Sequence, residues 1–558
     1  MSAVAGSSSP PMKRQRNDSP TQTIQLENGN ENANASTRVP QGNGFNRILT
    51  PKEEAKRIKS KVKDRQKVLE KMGEEPIYFD IVELLGDDLV QQITKEGSSK
   101  EFNNKLQRGE EIECRIERLS AHGEGLAIAP TRDWVIAVPH CVPGELVVAR
   151  ITANERMYSR SELVTIKERA AESSHAIKRD DKLVNCKYFG TCSGCQYQHI
   201  EYATQLEMKR NVVQRAFKNF SHLPAELLPN AKATLPSPLQ FNYRTKLTPH
   251  FELPRELKRR RGARGRDETI EKPKEVPYVA VGFDKVGTKQ VLDIEECPIA
   301  TASINLALPT ERQRVKDNIY TYKNGATILL RDSLKQFEND NDASTEVISD
   351  HKATVKERVG VTKFLSPAGT FFQNNRSILP SLISYVQEQI QTYSIAQEGD
   401  RYLVDAYCGS GLFSLCLASL FKRVAGVEIS ADSIKFAKQN ATINGIENVD
   451  FLAGDAQDIF KHITYPSDQT TVIIDPPRRG CDEPFIKQLL TLGPQLIVYV
   501  SCNVHTQARD VGQMINGLPG APKIGYEILS IRGADLFPQT YHVEGICVLR
   551  KKTEESSG

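Results

Sequence analysis

The stretch Asp405-Ala406-Tyr407-Cys408-Gly409-Ser410-Gly411 decides the fold of the C-terminal half of the chain. The run 402–406 leading into it is short and apolar, as a buried parallel strand is. Two glycines one residue apart then let the chain turn tightly and bring its backbone against a ligand. The same texture repeats outward from this turn. Strand-like runs at 423–428, 449–453, 471–474 and 496–500 alternate with helical stretches such as 431–440, and a late strand follows at 543–549. Strands alternating with helices predict a doubly wound α/β domain over 356–551, with ligands at the carboxyl ends of its strands.

A glycine pair alone is weak evidence for a cofactor, but two carboxylates strengthen it. Glu428 closes the second strand about 20 residues on, where a carboxylate accepts from ribose hydroxyls. Asp455 follows the third strand and is placed to accept from an adenine amino group. The three-glycine fingerprint of dinucleotide sites and the phosphate loop of nucleoside triphosphatases are both missing. The combination fits S-adenosylmethionine, which offers ribose and adenine but no pyrophosphate. Turns and caps of an unrelated α/β domain are the bland alternative.

Two further strand ends carry unusual residues. Asp475-Pro476-Pro477-Arg478-Arg479-Gly480 follows the fourth strand and Ser501-Cys502-Asn503 the fifth. A cysteine where a parallel strand meets solvent lies at the mouth of the expected crevice, although a buried structural thiol would also explain it.

The rest of the chain reads differently. Its 558 residues call for two to four domains. With 39% hydrophobic and 26% charged residues, wholesale disorder is excluded. No apolar run approaches the length of a membrane span, and the first 30 residues lack the apolar core of a secretory signal. The 74 basic and 70 acidic residues leave a net charge of +4, which decides nothing by itself. Residues 1–50 read as a disordered polar tail containing the basic cluster Lys13, Arg14 and Arg16. Segment 51–104 reads as a basic helical arm. Segment 105–168 reads as four or five short strands without helices, a small β-barrel of the OB type. Segment 175–355 is a mixed α/β region with a helix at 205–220 that packs on the C-terminal domain, and 552–558 is a tail. Arg255, Lys258, Arg259, Arg260, Arg261, Arg264 and Arg266 make a basic loop suited to phosphates or to solvent.

At this point the chain resembles the S-adenosylmethionine-dependent RNA (uracil-C5) methyltransferases, most of all those acting on the tRNA T-loop. The matching pieces are Phe371-Phe372-Gln373-Asn374-Asn375, the 405–411 turn, 475–480, 501–503 and His542-Val543-Glu544. The resemblance covers roughly residues 105–551. It implies that Cys502 is the nucleophile and Glu544 the base that removes the C5 proton. Asp475 would face the uracil, with Arg478 supporting it or touching RNA. Gln373, Tyr407, Gly409, Gly411, Glu428 and Asp455 would hold the cofactor. tRNA is the implied partner, with no membrane and no obligate protein partner. The same chemistry on ribosomal RNA, or a catalytically silent RNA-binding factor, are the competing readings. The residue types suit the chemistry: C5 of uracil attacks a methyl group only after a thiolate adds at C6, and a separate base must then take the C5 hydrogen.

Cys186, Cys192 and Cys195 lie within ten residues of one another, and Cys297 stands apart in an Asp293-Ile294-Glu295-Glu296-Cys297-Pro298 setting. Clustered thiolates suit iron–sulfur or zinc. The resemblance implies a [4Fe–4S] cluster with a structural job, with zinc or a vestigial site as alternatives. Nucleus, mitochondrion and cytoplasm fit the tail; a secreted protein does not.

Overall fold

The computed structural model describes residues 74–95, 100–102, 106–170, 177–258, 274–337, 344–395, 401–454, 460–461 and 463–552. The expected tail at 1–50, the basic stretch 51–73 and the arginines at 259–266 lie outside the described residues.

The basic run of the expected arm lies in 51–73, and the part of the segment that is described is helical. It is two helices, α1 (Pro76–Leu85) and α2 (Asp87–Thr94), rich in acidic rather than basic residues. Pro76 at the first helical position and Gly86 between the helices set their ends. Ile77, Ile81, Val90 and Ile93 form an apolar face buried against Leu126, Val135, Met157 and Tyr158. At about 1.5–3 kcal/mol for each fully buried aliphatic side chain, that face fixes the helices to the sheet beneath.

That sheet has six strands: β1 (Glu111–Arg115), β2 (Arg118–Leu119), β3 (Gly125–Ile128), β4 (Val135–Val138), β5 (Leu146–Asn154) and β6 (Tyr158–Glu168). The sequence reading found four of them and missed β2, which is two residues long, and β6, whose polar outer half masks its alternation. Their order is β1-β5-β6-β4-β3-β2, and among the described residues no pairing joins β1 to β2. Only Ile116 and Glu117 separate β1 from β2, and their N–H groups donate to the carbonyls of Glu145 and Leu126 at 2.9 and 2.8 Å, so one bent strand pairs at both ends of this order.

The central region carries α3 (Tyr202–Phe220), strand β7 (Lys232–Leu235), several strands of two to five residues, and α4 (Ala302–Asn318). Helix α3 packs on the C-terminal half, as expected: Val213, Ala216 and Phe217 share a core with that half. Lys209, only 1% exposed, places its Nζ 2.5 Å from Asp535 Oδ1 and 3.0 Å from the Phe537 carbonyl.

The C-terminal half contains α5 (Leu379–Tyr393), β8 (Tyr402–Ala406), α6 (Leu412–Cys416), β9 (Arg423–Glu428), α7 (Ala431–Ile443), β10 (Val449–Ala453), β11 (Thr470–Ile474), α8 (Glu483–Leu492), β12 (Leu496–Ser501), α9 (Val504–Asn516), β13 (Tyr526–Ala534) and β14 (Glu544–Lys551). One sheet runs β10-β9-β8-β11-β12-β14-β13-β7, so β7 of the central region completes its edge. The first five strands are mutually parallel, and β14 runs antiparallel to β12. The strand order reverses at β8, which puts the crevice at the carboxyl ends of β8, β9, β11 and β12. Because β14 is antiparallel, its first residue lies at that same edge, with Ser501 opposite Gly545. Among the described residues no helix is long and apolar enough to cross a membrane.

Candidate active site

The turn after β8 is built for a close approach. Tyr407 takes a positive φ of 67°, unusual for a side chain of its size, and Gly409 and Gly411 follow at 55° and 94°. A Cβ on Gly409 would meet open space, whereas one on Gly411 would press on Phe451 and Leu415. Gly409 thus borders the crevice and Gly411 lets the turn seat on the core. Glu428 holds the turn in place: its carboxylate accepts from the Gly409 N–H at 3.2 Å and the Ser430 N–H at 3.0 Å. Ile429, next in the chain, is 72% exposed. An apolar side chain standing in solvent beside the Glu428 carboxylate offers a flat face of the kind an adenine could cover, and sequence reasoning missed it. Asp455 lies outside the described residues. Gln373 is buried beside Phe372, which shares a core with Cys408. Its neighbours are fixed by Asn374 Oδ1, which accepts from Arg331 at 2.9 Å, and by Asn375, which donates to the Leu536 carbonyl at 3.1 Å.

Asp405 is the buried foundation of this turn. One carboxylate oxygen accepts from the Ser414 N–H at 2.8 Å and the Ser414 hydroxyl at 2.5 Å, while the other has no partner among the described residues. Burial pushes its pKa up to about 7.

Cys502, Glu544, Asp475 and Arg478 meet at the neighbouring strand ends. Cys502 sits between the end of β12 and the start of α9, where Asn503 caps the helix by accepting from the His505 N–H at 3.1 Å. The Asn503 side chain also donates to the Arg478 carbonyl at 3.0 Å, and Thr506 does so at 3.1 Å. These bonds tie the 475–480 loop to α9 and bring the positive charge of Arg478 near the Cys502 sulfur. Across the sheet, Gln507 donates to the carbonyls of Tyr499 and Gly545, locking β12, α9 and β14 together.

The electrostatics of this cluster favour protons in place. Burial, then the charges of Glu544 and Asp475, push the Cys502 thiol up to about 12, and Arg478 opposes them. Burial and the nearby Asp405 carboxyl raise Asp475 to about 7. Glu544 is 1% exposed, neither of its carboxylate oxygens has a partner among the described residues, and burial holds its pKa well above the usual carboxylate range. A bare carboxylate in that position would be costly, so the resting site keeps a thiol and at least one carboxylic acid.

A cavity of about 130 Å³ opens onto this cluster, and Cys502 and Arg478 line it with His122, His505, Tyr541 and His542. The two deeper imidazoles, His505 and His542, are held neutral by burial, each at about 3. His542 belongs to the His542-Val543-Glu544 motif, but the other three carry no sequence pattern of their own. His122 in particular comes from the β2–β3 turn, some 380 residues from the nucleophile, and only folding reveals it.

Cys186, Cys192, Cys195 and Cys297 all line a second cavity of about 260 Å³. Burial first, then the other cysteines, raises the Cys195 and Cys297 thiols, with Cys297 at about 11. Yet among the described residues no three His, Cys, Asp or Glu side chains come together closely enough to hold a metal ion. The expected clustering of the four is met, and the expected metal centre is not assembled.

Comparison with known proteins agrees with this geometry. A family model described as tRNA (Uracil-5-)-methyltransferase matches residues 311–552. The chain is 44% identical over 451 residues to a tRNA (uracil(54)-C(5))-methyltransferase of Schizosaccharomyces pombe, covering 80% of each. It is 37% identical over 509 residues to the protein of the same description from Saccharomyces cerevisiae, covering 83% of this chain and 77% of that one. Its fold is similar to the crystal structure of a Pyrococcus abyssi tRNA (uracil-54, C5)-methyltransferase in complex with S-adenosyl-L-homocysteine. The TM-score is 0.52 at 21% identity, over 78% of this chain and all of that one.

Proposed function

This chain belongs to the tRNA (uracil-5-)-methyltransferase family, and from that premise we propose that it methylates C5 of uridine 54 in tRNA through a covalent adduct on Cys502. The observation that carries the reading is the meeting of Cys502, Glu544, Asp475 and Arg478 at one edge of the sheet.

S-adenosylmethionine, held by the 407–411 turn, Glu428, Gln373 and the exposed face of Ile429, supplies an electrophilic methyl group. The rest is the chain's own chemistry. The Cys502 sulfur adds to C6 of the uracil as its proton leaves for an ionised carboxylate of the pair. Asp475, at about 7, is part protonated at neutral pH and donates to the uracil carbonyl on which negative charge develops. C5 becomes enolate-like and takes the methyl group. Glu544, its resting proton released to water, removes the C5 hydrogen, and the sulfur is expelled and takes a proton back from Asp475 as the ring is restored. The positive charge of Arg478 lies near the sulfur and so favours the thiolate both on attack and on departure.

The six-stranded sheet serves in this reading as an RNA-binding module of the OB sort, since its β2–β3 turn reaches the catalytic cavity. For the four-cysteine cavity we keep an iron–sulfur centre with a structural role as the reading. Four thiols around one space support it, and no step of the reaction passes through it. Iron and sulfide content of anaerobically purified protein tests it; protein fully folded and active without either would overturn it. For the main reaction, purified protein is incubated with labelled S-adenosylmethionine and undermethylated tRNA or ribosomal RNA, and the product nucleotide is mapped. 5-Methyluridine in the tRNA T-loop is expected; product confined to ribosomal RNA would reject the assignment.

A further inference from the structure

The reaction accounts for Cys502, Glu544, Asp475 and Arg478, but it leaves the outer wall of their cavity without a role. That wall is made by two side chains from opposite ends of the sequence. His122 and Tyr541 face each other edge to face, ring centroids 5.1 Å apart, and Tyr541 in turn lies 4.2 Å from His542. Both His122 and Tyr541 are half-buried and border the same space as the nucleophile.

The turn that carries His122 is held unusually firmly. Ser120 and Glu124 close it through a 2.8 Å backbone bond, and the Ser120 hydroxyl accepts from the N–H groups of His122 and Glu124. The Ala121 N–H donates to Asp80 on α1 at 2.8 Å, and Asp80 is paired with Arg215 on α3. Gly123, at a φ of 79°, brings its backbone so close to the Tyr197 ring that a Cβ would lie 2.6 Å from it. Tyr197 donates its N–H to the Gln539 carbonyl at 3.0 Å, in the loop that presents Tyr541. Three elements thus converge to fix one half-buried imidazole against one phenol ring. A turn so restrained, ending in an aromatic side chain at a cavity mouth, has the features of a stacking platform.

We propose that His122 and Tyr541 form an aromatic wall on which the nucleobase entering the catalytic cavity stacks. The six-stranded sheet would then complete the substrate pocket rather than merely hold RNA near it. The inference rests on the covalent reading of Cys502, because it is that chemistry that requires a base to be unstacked and held in the cavity. Aromatic faces replace the stacking the base loses in the folded RNA, and they do so for any base, so the wall contributes binding rather than identity.

The test measures the dissociation constant for undermethylated tRNA and the KM and kcat for methylation with full-length wild type, His122→Ala, His122→Phe and Tyr541→Leu. Thermal midpoints are recorded alongside. His122→Ala and Tyr541→Leu should each weaken tRNA binding and raise KM about tenfold, within the range seen when a stacked aromatic is truncated to alanine, with kcat near wild type. His122→Phe should restore binding, because a ring and not an imidazole is required. A ring that only props the turn would instead lower the thermal midpoint of His122→Ala without affecting tRNA affinity per folded molecule, and that would overturn the inference. So would a fall in kcat at constant KM that phenylalanine fails to rescue. If His122→Ala does not fold, Tyr541→Leu decides alone, with wild-type affinity the overturning result. Wild-type protein that makes no 5-methyluridine at all would fail the reading of the reaction itself, separately from this wall.

Discussion

The resting state of Cys502 is open to direct measurement. With its thiol pushed up to about 12 by burial and two carboxyls, the thiolate fraction at pH 8 is about 10⁻⁴, against about a quarter for an unperturbed cysteine near pKa 8.5. Alkylation by iodoacetamide in the absence of RNA should therefore be about a thousandfold slower than that of a small free thiol. It should climb about tenfold per pH unit from 7 to 10 without levelling off. Trypsin releases residues 488–509, whose lone cysteine is Cys502, so the rate can be read peptide by peptide. Arg478→Gln removes the group that favours the thiolate and should slow the reaction further. A plateau below pH 9, or a rate near that of a free thiol, would refute the reasoning. It would mean that the nucleophile is ionised before substrate arrives and that deprotonation is not part of the attack.

Glu544→Gln leaves methyl transfer possible but removes the base, so a methylated RNA–protein species should accumulate on a denaturing gel; its absence, with turnover retained, would contradict the role of Glu544. Lys209→Met strands the Asp535 carboxylate in the core and should lower the unfolding free energy by about 3–5 kcal/mol in urea titrations. The double variant with Asp535→Leu should regain most of that loss, and equal instability of both would count against the pair. Asp405 is raised from 3.8 to about 7 on folding. Its contribution is therefore full below about pH 4 and is lost as pH rises through 7. Wild type should accordingly lose stability relative to Asp405→Asn across that interval, whereas parallel pH profiles of the two would contradict the shift.

How far the sequence led depends on the kind of pattern each element leaves. The parallel strands β8, β9, β11 and β12 are largely buried on both faces, so each is a short apolar run closed by a residue of distinctive chemistry, and Gly409, Glu428, Asp475 and Cys502 were legible from it. Glu544 was legible only through resemblance. Its position follows from β14 running antiparallel beside β12, a pairing between residues over 40 positions apart that no local signal announces. Strand β13 was missed because its mixed burial gives neither a continuous nor an alternating run. Helices α1 and α2 were read only as the end of a basic arm, because the Ile77–Ile93 face that fixes them is apolar and sparse beside the basic run before it. His122 and Tyr541 were invisible for a similar reason. An aromatic side chain in a turn says nothing until the chain brings its distant partner to it.

The central claim is that a sulfur atom bonds to the pyrimidine before the methyl group moves. The most direct measurement compares Cys502→Ala with wild type in the rate of label transfer from S-adenosylmethionine to tRNA uridine, with cofactor binding checked on both. The account predicts cofactor binding in both proteins and no 5-methyluridine above background from the variant. Methylation of uridine at C5 by Cys502→Ala at the wild-type rate would contradict it.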